Sequence, residues 1–75
     1  MRDQYHDRYR KLGLNIAYYR KLRDYTQEQL AEKVDIDRTH MSKIEVATVG
    51  VSLDMLFAIA DVLQVPPKEL LDFRE

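Results

Sequence analysis

Thr26 to Glu45, TQEQLAEKVDIDRTHMSKIE, is the stretch whose reading decides the fold. It predicts two short helices with a tight bend between them. Thr26 is a hydroxyl cap able to accept from a free backbone N–H, and Gln29, three residues on, supplies the other half of a capping box. Leu30 and Val34 recur at i and i+4, while Ala31 keeps one side of the helix narrow enough for a neighbour to approach. The pattern breaks at Asp35-Ile36-Asp37. Aspartate tolerates a left-handed backbone, Ile36 can plug inward from the bend, and Asp37 caps a second helix from Arg38. That second helix is expected to bury Met41 and Ile44.

At about 100° per residue, Thr39, Ser42, Lys43 and Val46 point away from the Met41/Ile44 stripe, with Arg38 and His40 on its flanks. A helix with such a donor-rich outer side, held by another crossing behind it, suits the DNA major groove. The positions Gln27 to Val46 resemble the helix-turn-helix of the phage repressor and Cro family, also called the XRE-type family. Leu30, Ala31, Val34, Ile36, Met41 and Ile44 stand where that motif has apolar or small residues. The resemblance extends over about Leu12 to Leu71. It implies an all-α, five-helix bundle of the lambda-repressor-like kind, with residues 1–75 as a single DNA-binding domain and residues 26–46 as its motif.

Composition sets the outer bounds. Seventy-five residues allow a small core, which seldom supplies more than ~3–5 kcal/mol of net stability. The chain has no cysteine, so no disulfide and no thiolate metal site is expected, and His6 and His40 have no ligand-spaced companions. Neither a metal nor a cofactor is expected. Net charge is −1, but ten Lys/Arg face eight Asp/Glu in residues 1–45, against two and five in residues 46–75. The basic groups concentrate in the half that holds the motif. Without a long apolar run or a signal-peptide pattern, no membrane association is expected and the cytoplasm is the expected compartment.

Upstream of the motif, Tyr9, Leu12, Ile16, Tyr19 and Leu22 predict a helix from about Arg8 to Arg23, with residues 1–7 either extending it or forming an arm. Gly13 costs about 1 kcal/mol inside a helix, which close packing against a neighbour would explain. Downstream, ATVGV (47–51) is read as a loop with Gly50 as its hinge. The family usually has a polar residue and Gly at Val46-Ala47, and Pro at Val51. Ser52 caps a fourth helix carrying Asp54 in its first turn, with Leu53, Leu56, Phe57, Ala60 and Leu63 as its inner stripe. Pro66-Pro67 stops it and starts a fifth.

The resemblance implies an ion pair between Arg20 and Glu45 that joins the first helix to the end of the third. In base reading, Thr39, Ser42 and Lys43 are the candidates, and Val46 either touches a thymine methyl or packs in a loop or dimer contact. The phosphate-facing candidates are Thr26, Gln27, Arg38 and His40. Of these, Arg38 either reaches a phosphate or folds back onto Glu45, and His40 is read as a half-buried flank residue. The run Arg20-Lys21-x-Arg23 is read as a solvated helix face, with an approach to the DNA backbone as the lesser alternative. No nucleophile elbow, metal motif or Gly-rich phosphate loop occurs, so an enzyme is not expected. Met55, Ile59, Val62, Leu71 and Phe73 are surplus to one packed face and form a candidate dimer interface. The expected function is a sequence-specific, double-stranded-DNA-binding transcriptional regulator, a repressor acting as a homodimer on a palindromic operator. The alternative is an antitoxin-like module that neutralises a second protein, with DNA binding secondary.

Overall fold

The computed structural model describes residues 3–73, and among these every regular element is helical. A short 3₁₀ turn, Asp3–Tyr5, leads into α1 (His6–Leu22), followed by α2 (Gln27–Lys33), α3 (Arg38–Glu45), α4 (Leu53–Leu63) and α5 (Pro67–Leu70). Residues 3–7 therefore continue toward the first helix, while residues 1 and 2 lie outside the described part.

Each helix of the motif starts where its capping residue predicts. The Thr26 hydroxyl accepts from Gln29 N at 3.0 Å, and Gln29 Oε1 accepts from Thr26 N at 2.9 Å, closing the capping box. Asp37 Oδ1 accepts from His40 N at 2.7 Å and Ser52 Oγ from Met55 N at 3.1 Å. These side chains satisfy donors that have no partner inside the helix.

The helix ends share a different device. Asp24, Asp35, Ala47 and Gln64 all have left-handed backbones, with φ of 62°, 61°, 63° and 59°. Behind each, the next residue donates back into the last turn: Tyr25 N to Arg20 O, Ile36 N to Ala31 O, Thr48 N to Lys43 O and Val65 N to Ala60 O. This is the Schellman arrangement, usually completed by glycine. Here no glycine takes part. The turn after α3 was expected to hinge at Gly50, but its left-handed residue is Ala47, and no glycine has positive φ among the described residues.

The core is assembled from Leu12 and Ile16 of α1, Leu30 and Ala31 of α2, Met41 and Ile44 of α3, Leu56, Ile59, Ala60 and Leu63 of α4, and Leu70 of α5. Ile36 plugs in from the bend as a partly buried residue. Leu22 does not join the α1 stripe and is exposed. A larger correction concerns α4. Leu53 and Phe57, assigned to its inner side, are 65% and 48% exposed, whereas Ile59, assigned to a dimer interface, is 0% exposed. Ile59 is a core residue and cannot offer its side chain to a partner. Met55, Val62 and Phe73 are partly buried against the same core, while Leu71 is exposed.

Polar side chains tie distant elements together. Arg23 donates through Nε to Leu63 O at 2.8 Å and through Nη2 to Gln64 O at 3.4 Å, placing a cation at the negative end of α4. Asn15 Nδ2 donates to Leu70 O at 3.0 Å and Asp72 O at 3.1 Å, holding the end of α5 on α1.

Candidate nucleic-acid interface

Helix α3 turns Met41, Ile44 and Glu45 inward and leaves Arg38, Thr39, His40, Lys43 and Val46 exposed, with Ser42 half-buried. The donor-rich side is therefore free. His40 is exposed rather than half-buried, and its backbone N–H is engaged by the Asp37 cap. Val46, 60% exposed, caps the helix where its last turn leaves the core.

The outer side is held in place by a buried polar cluster behind it. Arg20 Nε meets Glu45 Oε2 at 2.7 Å and Nη2 meets Oε1 at 3.1 Å, a two-pronged pair between α1 and the last turn of α3. Arg20 Nη1 also donates to Tyr25 O at 2.9 Å, fixing the link between α1 and α2. Glu45 Oε1 accepts a further bond from Gln27 Nε2 at 3.0 Å. One guanidinium and one carboxylate thus bind three helices and a turn. Arg20 and Glu45 are each only 8% exposed, so their charges would be costly if unpaired. Every buried side-chain donor and acceptor has a partner among the described residues.

The cluster revises several single-residue readings. Gln27 is not simply free for a phosphate: one of its two amide donors is committed to Glu45, and one remains. Thr26 has its hydroxyl in the capping box, which leaves the backbone N–H groups of Gln27 and Glu28 ahead of the first bonded donor of α2. Arg38 does not fold back onto Glu45, whose oxygens are occupied by Arg20 and Gln27. The basic run dissolves as well. Arg20 is buried, Arg23 is exposed but bonded to the terminal carbonyls of α4, and Lys21 is exposed.

The bonds from Gln27 to Glu45 and from Arg20 to the Tyr25 carbonyl were not legible in the sequence. Both depend on how the end of α1 crosses the start of α2, and no residue spacing signals that crossing. Acidic groups frame the surface. Glu28, Glu32, Asp35 and Asp37 line a crevice together with Arg38 and Thr39 at the α2–α3 bend. At the far end of α1, a hydrogen bond from Arg10 and the nearby Lys11 ammonium hold the exposed Asp7 carboxyl below its ordinary range.

Comparison with known proteins agrees with this geometry. Residues 16–70 match the profile of the family described as Helix-turn-helix. The chain is 50% identical over 48 residues to the control protein C.BamHI of Bacillus amyloliquefaciens, covering 64% of this chain and 59% of that relative's length. Among solved structures, the restriction-modification controller protein C.AhdI from Aeromonas hydrophila superposes with a TM-score of 0.78 at 30% identity, over 81% of this chain and 92% of that one. SinR, a master regulator for biofilm formation solved in complex with DNA, superposes with a TM-score of 0.75 at 34% identity, over 81% of this chain and 98% of that one.

Proposed function

The chain belongs to the helix-turn-helix family, of the XRE type, and from that premise we propose that it is a DNA-binding transcriptional regulator and not an enzyme, a repressor acting as a homodimer on a palindromic operator. The observation that carries this reading is the exposed donor face of α3, mounted on a fully bonded buried cluster. Lys43 donates to guanine O6 and N7, Thr39 and Ser42 contribute versatile hydroxyls, and Val46 meets a thymine methyl. Arg38, His40, the free N–H groups at the start of α2 and the second amide donor of Gln27 serve the phosphates, which set register and salt dependence.

The dimer is supported by the outer side of α4. Leu53 and Phe57 sit one turn apart and exposed on one helix, with Leu71 also exposed on the C-terminal segment, apolar side chains that a partner surface would cover. The molecule's longest extent is 31 Å, so two copies about a two-fold axis can set their α3 helices one duplex turn, about 34 Å, apart. The similarity to restriction-modification control proteins makes such genes the first place to seek an operator. Among the described residues no helix is long and apolar enough to cross a membrane, and the cytoplasm is the proposed site of action.

Selection of duplexes from a random pool tests the reading directly. The expected product is an inverted repeat whose half-sites lie about 10 base pairs apart, bound by two copies. Recovery of no preferred sequence would overturn it. A stoichiometric second protein co-purifying from the source cell, with no preferred duplex, would favour the antitoxin-like alternative.

A further inference from the structure

Helix α1 holds Glu45 at both ends. The carboxylate takes the Arg20 guanidinium, while the backbone carbonyl lies against Gly13, two turns earlier on the same face of α1. A β-carbon at position 13 would collide with Glu45 O and would stand 2.8 Å from both the Glu45 carbonyl carbon and Ile44 O. Ordinary carbon contacts lie at about 3.5–4.0 Å. The obstructing atoms are all main chain, so no rotamer change relieves the clash, and α3 would have to move away from α1 as a body.

We propose that Gly13 is a positioning residue for DNA reading, setting the depth and tilt at which α3 presents Thr39, Ser42 and Lys43 to the duplex. Two anchor points on one straight helix, a main-chain contact at Gly13 and an ion pair at Arg20, prevent the last turn of α3 from sliding along α1 or pivoting on it. A binding constellation needs its groups held to about 0.5 Å, less than the displacement a methyl at position 13 demands. The inference rests on the DNA-binding reading above. It adds that a residue facing away from the duplex sets base preference through the seat of the helix.

The test is Gly13→Ala, made in the wild-type chain and in a Gln64→Gly background, where relief of a left-handed glutamine remote from α3 offsets lost stability. Without DNA, amide shift changes are expected to concentrate on residues 38–48 and to leave α4 and α5 near wild type. With DNA, the probes are the duplex selected by wild type from a random pool and a scrambled duplex of equal length. The ratio of the two affinities is expected to fall about tenfold, while affinity for the scrambled duplex stays within about twofold. Mere destabilisation lowers the folded fraction, and hence both affinities alike, so it leaves the ratio unmoved. A folded variant with the wild-type ratio overturns the proposal, as do shift changes spread evenly over the domain. Failure to fold in both backgrounds also overturns it, because Gly13 would then be a folding requirement and not a positioner. If wild type itself selects no duplex, the DNA-binding reading fails first and this proposal with it, an outcome distinct from an unchanged ratio.

Discussion

Helices α3 and α4 are built by the same local rules and carry different outer sides. Both are entered through a side-chain cap, Asp37 or Ser52, and both are left through a non-glycine residue in the left-handed region, Ala47 or Gln64. Both bury an i, i+3 pair in one core, Met41 with Ile44 and Leu56 with Ile59. The outer sides diverge. Helix α3 exposes Arg38, Thr39, His40 and Lys43, whereas α4 exposes Leu53 and Phe57 flanked by Asp54 and Asp61. Donors and cations suit a polyanion, while apolar groups among carboxylates repel one and suit protein. Local physics therefore makes the helices, and the exposed residues set what each outer side offers. The supports differ as well: α3 is held at its end by a buried charged cluster, and α4 by apolar packing with Arg23 on its terminal carbonyls.

Breaking the support of α3 should have the largest effect. Arg20→Ala leaves Glu45 buried without its cation and is expected to cost about 3–5 kcal/mol, a melting-temperature loss of well over 10 °C at roughly 4–8 °C per kcal/mol for a domain of this size. An unchanged thermal transition by circular dichroism would refute the importance of the cluster.

The outer side of α4 comes next. Phe57→Lys removes an exposed ring that a dimer would bury, worth about 1.5–3 kcal/mol at most for full burial and counted once from each protomer. Sedimentation should show a dimer turning to monomer with the melting behaviour of the separated chain almost unchanged. A variant that still dimerises like wild type would mean that α4 is not the interface.

Lys43→Ala probes the α3 outer side in the same way. Base discrimination should fall by about 1–3 kcal/mol with the fold intact, since Lys43 is exposed and opposite the core. Equal operator-to-scrambled ratios for variant and wild type in a fluorescence-anisotropy titration would remove it from the reading set.

The smallest contrast lies at the two left-handed ends. Left-handed backbone costs a non-glycine residue about 1–2 kcal/mol, so Gln64→Gly, at an exposed position, should stabilise by about 1 kcal/mol. Ala47→Gly should gain less, because Ala47 is only 2% exposed and the burial of its methyl would be lost. Urea denaturation that ranks Ala47→Gly above Gln64→Gly would contradict this.

Much of the motif was legible because it is local. The caps at Thr26, Asp37 and Ser52, the bend at Asp35 and the inward Met41 and Ile44 depend on neighbours a few residues away. The Arg20 and Glu45 pair was legible only through the family resemblance, and the structure bears it out. The hinge assigned to Gly50 was misplaced for a local reason: composition favours glycine for positive φ, but the Schellman turn needs its left-handed residue directly after the last helical carbonyls, where the chain has Ala47.

What the sequence determined by itself was five helices, their starts, and a third helix with one apolar and one donor-rich side, since hydrogen-bond satisfaction and helical period act over a single turn. Which side of α4 enters the core was a tertiary decision. Apolar residues cover a wide arc of that helix, and turning the buried stripe by about half of one ~100° step takes in Ile59 at one edge and gives up Phe57 at the other. Periodicity cannot choose between such rotations. The choice was made by the position of the other helices, with Asn15 holding α5 on α1 and Arg23 holding the end of α4, so that Ile59 became core and Leu53 and Phe57 became surface.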